Sequence, residues 1–229
     1  MRTKIIGHRG AAGLALENTI ASIEAAKQAG VAGMEIDLRL TKDMQVVVFH
    51  DANLARLSDD VRPLNELDFA ELRQIKLHGG HQIPTFSEAI EAADGTLLVA
   101  EIKDDGMAQR VADILDRYPH ANVEISSFKY HELNTLKHIR PKTKIYPCAN
   151  TNPVEGFFIA KALGSTGVTL NFWVLNPMTY FLSRRSKLTI MAYTVNNRLL
   201  GRFLTFLYPN IELCTNHPER FIASKGEKQ

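Results

Sequence analysis

Two carboxylates and a histidine interrupt an apolar stretch of the sequence, residues 34–51. Glu35 and Asp37 alternate with Ile36 and Leu38, and because side chains two apart on a strand share a face, the two carboxylates should project together. Two like charges on a half-buried strand repel, so such a pair persists only where a cation or a shared proton compensates it. A metal ion is the first candidate for that cation.

A second apolar run, Gln45 to Phe49, follows a turn at residues 41–43. It leads directly into His50 and Asp51. Polar side chains that follow a buried strand are enriched in active sites, so this run places an imidazole where a site would form.

Bulk composition predicts a single domain over residues 1–229. The chain has 229 residues, of which 45% are hydrophobic and 23% charged, and its formal net charge is +2. These ordinary values give no strong case for a nucleic-acid partner or a membrane surface. No linker or shift in composition divides the sequence, and nothing in it indicates the oligomeric state.

Cysteine usage and apolar run length predict a cytoplasmic protein. Cys148 and Cys214 lie far apart without zinc-type spacing, which favours buried thiols in a reduced compartment. The first ten residues lack the apolar core of a signal peptide, and no later segment offers the ~18 apolar residues of a membrane span. We therefore expect no stable membrane insertion.

The chain alternates short apolar runs with amphipathic stretches, which is the pattern of repeated βα units. Strands are predicted at residues 4–8, 34–40, 96–102, 123–127, 144–147, 167–171, 188–193 and 211–214. Helices are predicted at residues 19–29, 87–93, 108–117, 130–138, 153–163, 177–184, 198–207 and 218–223. Eight strands with eight helices predict a closed (β/α)₈ TIM barrel, in which the active site lies at the carboxyl ends of the strands.

One segment breaks this alternation, residues 52–81. It is long for a connection between a strand and a helix, and insertions of this kind usually serve as lids or substrate walls. We interpret it as a small insertion after the second strand region.

The first strand ends in His8, Arg9 and Gly10. A histidine and an arginine before glycine suit an exposed turn that approaches an anion, although a surface turn with a capping arginine is the plainer alternative. Glu17 follows in a polar stretch. Asn18 and Thr19 precede a helical run, so either is expected to cap that helix.

The third strand ends in Glu101 and Lys103, which repeat the spacing of Glu35 and Asp37. Three carboxylates from two strands, with no cysteine partner, favour one hard divalent cation such as magnesium, calcium or manganese. The alternative is an internal salt bridge between Glu101 and Lys103.

A cation flanked by Arg9 and Lys103 is a place to bind a phosphate. Positive charge on several sides would neutralise the negative charge that develops on five-coordinate phosphorus. His8 and His50 can then transfer protons at neutral pH. One imidazole accepts a proton from the nucleophile, and the other protonates the leaving alkoxide. Phosphodiester cleavage is the reaction that fits these groups.

The motifs occur in the order found in a known family. They are His8-Arg9-Gly10, Glu17-Asn18-Thr19, Glu35-x-Asp37, Thr41-Lys42-Asp43, Val48-x-His50-Asp51, Ile83-Pro84-Thr85-Phe86, Glu101-x-Lys103, Ser126-Ser127-Phe128, Thr194-Val195-Asn196 and Thr215-Asn216-x-Pro218. Through them nearly the whole chain resembles the glycerophosphodiester phosphodiesterases, which are metal-dependent barrel hydrolases with two histidines.

The resemblance implies a role for each candidate residue and a small-molecule glycerophosphodiester as the substrate. It implies that the metal ligands are Glu35, Asp37 and Glu101. It implies that His8 and His50 are the acid/base pair, that Arg9 and Lys103 contact the phosphate, and that Glu17 lies in the same polar site. Products would be an alcohol and sn-glycerol 3-phosphate.

Three positions depart from the family pattern, and they bear on the substrate side. Leu16 replaces a usual proline, Tyr193 a usual tryptophan, and Asn216 a usual aspartate. The last change removes one possible charge near the last strand. The departures leave the proposed chemistry intact.

Two alternatives stay open: a related diesterase that acts on lysophospholipids, and a non-catalytic phosphate-binding barrel. An apolar rim in residues 52–81 would favour the first, but charged residues occur throughout that segment. A non-catalytic barrel would be expected to lack one of the metal ligands or histidines, and this sequence lacks none of them.

Overall fold

Within residues 3–222, which the computed structural model describes, eight parallel strands close into a barrel and a ninth strand pairs beside them. In chain order the strands are β1 (Ile5–Gly7), β2 (Gly33–Leu40), β3 (Val46–Val48), β4 (Leu97–Ile102), β5 (Val123–Ser127), β6 (Ile145–Ala149), β7 (Gly167–Asn171), β8 (Thr189–Tyr193) and β9 (Glu212–Thr215). The barrel follows the order β1-β9-β8-β7-β6-β5-β4-β2, and pairing of Ile6 with Gly33 closes it. The predicted TIM barrel is confirmed.

Helices cover the outside of this barrel. They are α1 (Ile20–Ala29), α3 (Phe86–Ala93), α4 (Ala108–Arg117), α5 (Tyr130–Ile139), α6 (Pro153–Ala162), α7 (Pro177–Ser186) and α8 (Arg198–Leu207). The short helix α2 (Phe69–Leu72) lies in the inserted segment instead. The predicted last helix is wrong in extent: a single 3₁₀ turn, Pro218–Arg220, stands in its place, and residue 223 lies outside the described part. None of the described helices is long and apolar enough to cross a membrane.

Strand β3 is the apolar run that leads to His50, and its direction was not foreseen. It pairs antiparallel with β2, with Val48 opposite Leu38. The turn between the strands closes through Thr41, whose hydroxyl accepts the Gln45 N–H at 2.9 Å. The carboxyl-terminal half of β2 is therefore extended into a hairpin outside the barrel wall.

The inserted segment 52–81 is packed by its own apolar cluster. The buried side chains of that cluster are Val47, Phe49, Leu54, Leu57, Leu64, Leu67, Leu72, Leu77 and Ile83. Because Val47 and Phe49 come from the hairpin, burial of this cluster fixes the insertion to the strand that precedes His50.

The barrel interior is small and partly polar. Ile6, Val99, Met191 and Cys214 form its apolar layer, and the larger apolar clusters lie between the strands and the helices. Cys148 and Cys214 are free and buried, and burial raises the pKa of both thiols well above the ordinary value. They are the buried thiols that the sequence predicted.

Candidate active site

A cavity of about 360 Å³ opens at the carboxyl ends of the barrel strands. Seven of the eight predicted site residues line it: His8, Arg9, Glu35, Asp37, His50, Glu101 and Lys103. Glu17 does not line the cavity and lies behind Arg9. The fold therefore brings the sequence candidates together from four strand ends, as the barrel topology requires.

Three carboxylates form the centre of the site. Glu35 and Asp37 project from β2, and Asp37 is in register with Glu101 on β4. One oxygen from each of the three lies within 4.8 Å of the others. Burial, followed by the charges of Asp37 and Glu101, raises the pKa of Glu35 well above its ordinary value. Burial also raises the pKa of Glu101.

Two cations face these carboxylates. Lys103 Nζ donates to Glu101 Oε1 at 2.7 Å and lies 3.0 Å from Asp37 Oδ1, so the internal salt bridge considered as the alternative is present. Arg9 Nε lies 3.4 Å from Asp37 Oδ2. Burial alone would raise the pKa of Asp37, but Lys103 and Arg9 outweigh burial, and that pKa is lowered.

This cluster fits a hard divalent cation. Three carboxylates face one lysine and one arginine, so ionisation of all three leaves one negative charge for a metal ion to compensate. Glu35 lacks a lysine or arginine partner within residues 3–222; its Oε2 accepts the Arg9 N–H at 3.0 Å and lies 3.9 Å from His8 Nε2. An oxygen-only donor set is typical of magnesium, calcium and manganese sites.

His8 is held by the last strand. Its N–H donates to Thr215 O at 2.8 Å, and its Nδ1 lies 2.6 Å from Asn216 Oδ1. An amide oxygen can only accept, so Nδ1 carries the proton and Nε2 faces the cavity as an acceptor. Burial, with a further contribution from Arg9, lowers the pKa of His8 to about 4.

His50 has a charged partner where His8 has a neutral one. Its Nδ1 lies 2.6 Å from Asp51 Oδ1, and Asp51 Oδ2 accepts from Arg56 Nε at 2.6 Å. Burial lowers the pKa of His50, although the charge of Asp37 and the bond to Asp51 act in the opposite direction. A carboxylate on Nδ1 stabilises the imidazolium form, which is the form of a general acid.

The turn that carries Arg9 has the left-handed backbone that glycine permits, as predicted, but it is not exposed: Arg9 is half-buried and Gly10 is buried. Arg9 has φ +50° and Gly10 has φ +81°, a region that glycine enters without strain. A Cβ added to Gly10 would lie 2.4 Å from Ser22 Oγ. This turn places the Arg9 N–H on Glu35 while its guanidinium donates to Glu17 Oε1 at 2.6 Å.

Arg56 of the insertion bridges Glu17, which pairs with Arg9, and Asp51, which pairs with His50. It donates to Glu17 Oε1 and Oε2 at 2.6 and 3.0 Å and also to Asp51. Arg9, Glu17, Arg56, Asp51 and His50 thus form one chain of charged hydrogen bonds. Arg56 was not among the residues predicted from the sequence, because nothing in the spacing of residues 52–81 shows which side chain turns back to the site.

Asn18 is the second residue whose role was missed. Thr19 caps α1, as one of the two candidates was expected to do, whereas Asn18 has φ +55° and bonds Asp37. Its Nδ2 donates to Asp37 Oδ2 at 2.8 Å, and its Oδ1 accepts the Asp37 N–H at 3.1 Å. The predicted cap is therefore confirmed at Thr19, and Asn18 binds Asp37 instead.

We expect Asn18→Ala to destabilise the protein by about 1–3 kcal/mol, because it leaves the buried N–H and carboxylate of Asp37 without these bonds. The free energy of unfolding in urea measures this change. Asn53→Ala, at an exposed position in the insertion, is the matched control. Equal stability of the two variants would contradict the role assigned to Asn18.

Comparison with known sequences gives one family. A model of the glycerophosphoryl diester phosphodiesterase family matches residues 8–219. The glycerophosphodiester phosphodiesterase of Caldanaerobacter subterraneus subsp. tengcongensis is 31% identical over 171 residues, which are 67% of this chain and 70% of that protein. Lysophospholipase D GDPD1 of Homo sapiens is 32% identical over 54% of this chain and 44% of its own length.

Solved structures share the barrel over nearly its whole length. A phosphodiesterase of Oleispira antarctica, solved in complex with the product sn-glycerol-3-phosphate, superposes with a TM-score of 0.89 and 25% identity over 96% of this chain and 95% of that one. A glycerophosphodiester phosphodiesterase of Thermotoga maritima gives a TM-score of 0.84 and 25% identity over 96% and 97% of the two chains.

Proposed function

Because the chain belongs to the glycerophosphoryl diester phosphodiesterase family, we propose that it hydrolyses glycerophosphodiesters to an alcohol and sn-glycerol 3-phosphate. The observation that carries the proposal is the cavity in which three carboxylates, two cations and two histidines converge. The product bound to the Oleispira antarctica relative has the chemistry of the proposed product.

Glu35, Asp37 and Glu101 are the residues that would hold one divalent cation. When bound, such a cation acts as a Lewis acid that polarises a phosphoryl oxygen and offsets developing negative charge. The three carboxylates fit this role because Glu35 and Asp37 are buried, Glu101 is half-buried beside them, and Arg9 and Lys103 cannot cancel all three charges when they are ionised.

Arg9 and Lys103 are proposed to bind the phosphate as well as the carboxylates. Arg9 Nε is buried, lies 3.4 Å from Asp37 Oδ2 and makes no hydrogen bond within residues 3–222, and we propose that a phosphate oxygen accepts from it in the complex. Lys103 stays protonated, because Asp37 and Glu101 outweigh the effect of burial and raise its pKa. For Glu17 we propose a positioning role through its bond to Arg9, in place of direct contact with the substrate.

The two histidines are proposed to divide the proton transfers. His8, with its proton on Nδ1 and its Nε2 free, serves as the general base that deprotonates the attacking oxygen. His50, whose imidazolium Asp51 stabilises, serves as the general acid that protonates the leaving alkoxide. In-line displacement requires these two oxygens on opposite sides of phosphorus, which two histidines from different strand ends can serve.

The attacking oxygen is either water or the 2-hydroxyl of the substrate's own glycerol. In the second route that hydroxyl loses its proton to His8 and forms a bond to phosphorus while the bond to the alcohol breaks, and water then opens the cyclic glycerophosphate. A diester of a glycol without the 2-hydroxyl separates the routes. Equal cleavage of this analogue and the natural substrate would assign the attack to water.

Release of sn-glycerol 3-phosphate from a panel of glycerophosphodiesters, with and without chelator, tests the proposed function. Turnover of at least one diester that chelator suppresses supports it. If no diester is turned over in the presence of magnesium, calcium or manganese, the proposed activity is wrong. A non-catalytic phosphate-binding barrel is then the remaining interpretation.

A second substrate class is favoured by one feature of the mouth. Phe128 lines the cavity at the end of β5 and is 40% exposed, and Trp173, in the turn after β7, is 81% exposed. Apolar side chains at this end of the barrel suit the acyl chain of a lysophospholipid. The human relative carries the name lysophospholipase D. Lysophospholipids in the same panel decide between the two classes.

The insertion, residues 52–81, is proposed to form one wall of the substrate site through Arg56. Removing the whole segment would expose Val47 and Phe49, so a point substitution is the cleaner test. We expect Arg56→Gln to change kcat/KM by up to ~10-fold and to alter the order of preferred alcohols, because a positioning residue acts through Asp51 and Glu17. Kinetics across the panel measure both.

Arg62→Gln is the control for Arg56→Gln. Arg62 lies in the same segment and bonds Asp60 rather than Glu17 or Asp51. An unchanged alcohol preference in both variants would assign the insertion a structural role.

A further inference from the structure

Positive charge is concentrated in the part of the chain that builds α6, α7 and α8. Residues 156–211 contain six basic and no acidic residues, although the whole chain has 27 Lys and Arg and 25 Asp and Glu. The six are exposed, and no salt bridge within residues 3–222 involves them. They are Lys161, Arg184, Arg185, Lys187, Arg198 and Arg202. The nearest preceding acid is Glu155, at the start of α6.

The outward face of α8 is apolar. Four large side chains on it are 44% to 81% exposed, and they are Leu199, Phe203, Phe206 and Leu207. At ~100° per residue they form one stripe along the helix, flanked by Arg198 and Arg202. Gly201 and Leu204 are the buried residues of this helix, so the stripe is not the surface that packs on the barrel.

Large apolar side chains are also exposed on α7, which neighbours α8, and just beyond β7. Tyr180 of α7 and Tyr208 after α8 have ring centroids 5.3 Å apart, so the two helices are neighbours. Met178 and Phe181 of α7 are 57% and 60% exposed, and Trp173 precedes them at the carboxyl end of β7. These apolar residues and the six basic ones are called the α6–α8 face.

We propose that the α6–α8 face docks reversibly on the surface of a lipid bilayer that contains anionic lipids. Exposed phenylalanine, leucine and tryptophan side chains can enter the interface between headgroups and acyl chains, and arginine and lysine beside them attract anionic headgroups. This binding lies beyond the proposed reaction, and it does not depend on it.

The charge of this face argues against a second copy of the chain as its partner. A two-fold symmetric contact pairs a patch with itself, so the six basic residues of one copy would face those of the other. Like charges brought together and desolvated oppose association. A negatively charged surface matches the face instead.

Co-sedimentation with vesicles tests the proposal on the full chain. We expect binding to vesicles of phosphatidylcholine mixed with phosphatidylglycerol, and much weaker binding to phosphatidylcholine alone or at high salt. Each arginine near an anionic leaflet strengthens binding ~5-fold, so Arg198→Gln with Arg202→Gln should weaken it ~30-fold. Phe203→Ser with Phe206→Ser should weaken it at least ~10-fold.

Arg110→Gln with Arg117→Gln is the matched control. These arginines are exposed on α4, and α4 and α8 follow the third and seventh barrel strands, on opposite sides. The control should bind like the parent, and all variants should keep the parental melting temperature. The proposal would be overturned if the parent did not bind vesicles or if the control lost binding equally. It would also be overturned if the parent were a dimer that Phe203→Ser with Phe206→Ser converts to a monomer.

Discussion

Replacing His50 with alanine should lower kcat on glycerophosphodiesters at least ~10²-fold without unfolding the protein, which is the size expected of a general acid. His8→Ala should cause a loss of similar size, because it removes the proposed base. Steady-state kinetics measure both losses. His120→Ala, at an exposed loop position, is the control and should keep parental kcat.

A substrate with a good leaving group distinguishes the two histidines. A nitrophenyl ester needs little protonation as it leaves, so its cleavage should be restored in His50→Ala and should stay slow in His8→Ala. The opposite pattern would exchange the two roles. Near-parental kcat in both variants on natural substrates would show that the two-histidine mechanism is wrong.

The Asp51 contact gives this assignment a pH signature. Asp51→Asn removes the negative charge that stabilises the His50 imidazolium, so the pKa of His50 should fall further below its ordinary value. A general acid must be protonated, and the alkaline limb of the kcat profile should therefore move to lower pH. A profile identical to that of the parent would remove Asp51 from the mechanism.

Chelation should abolish activity, and magnesium, manganese or calcium should restore it. Glu35→Gln, Asp37→Asn and Glu101→Gln should each reduce the thermal stabilisation that added metal gives, since a ligand at ~100 times its Kd contributes about 2.7 kcal/mol to the folded state. Differential scanning calorimetry with and without metal measures this. Full turnover in excess chelator after dialysis would contradict the metal assignment.

His131→Ala is the control for metal binding elsewhere. Asp105, His131 and Glu132 also bring three potential ligand atoms within 4.8 Å of one another, but Glu132 accepts the N–H groups of Gly106 and Ala108. The metal response should therefore survive in His131→Ala. Loss of the response in this variant alone would move the metal to that exposed cluster.

Glu35 makes metal binding and stability depend on pH. Its folded-state pKa lies above its unfolded value, so without metal the site loses stability as pH rises through that folded value. Metal must displace the proton, and its affinity should therefore weaken as pH falls. In metal-free buffer Glu35→Gln should be at least as stable as the parent, since it removes one of three adjacent charges.

The barrel and the central carboxylates were predictable because they depend on local patterns. Alternating polar and apolar residues in β2 place Glu35 and Asp37 on one face, and the same spacing in β4 adds Glu101. Parallel strands then bring these ends together whatever the helices contain.

Partners that come from distant segments could not be predicted. Asn18 looks like a helix cap in sequence, and only the closed barrel shows that its amide meets Asp37. Arg56 looks like a surface residue of a polar insertion. The direction of β3 was also hidden, because a short apolar run fits either a parallel or an antiparallel strand.

The β2–β3 hairpin separates evolutionary change in the proposed substrate wall from the placement of His50. Phe49 N–H donates to Asp37 O, and Val48 N–H donates to Pro84 O, so His50 is anchored before the chain enters the insertion. Exposed residues of the inserted segment that contact neither the hairpin nor Asp51 can therefore change without moving the imidazole. Divergence of substrate preference within this lineage should accumulate in that segment while the hairpin stays the same length.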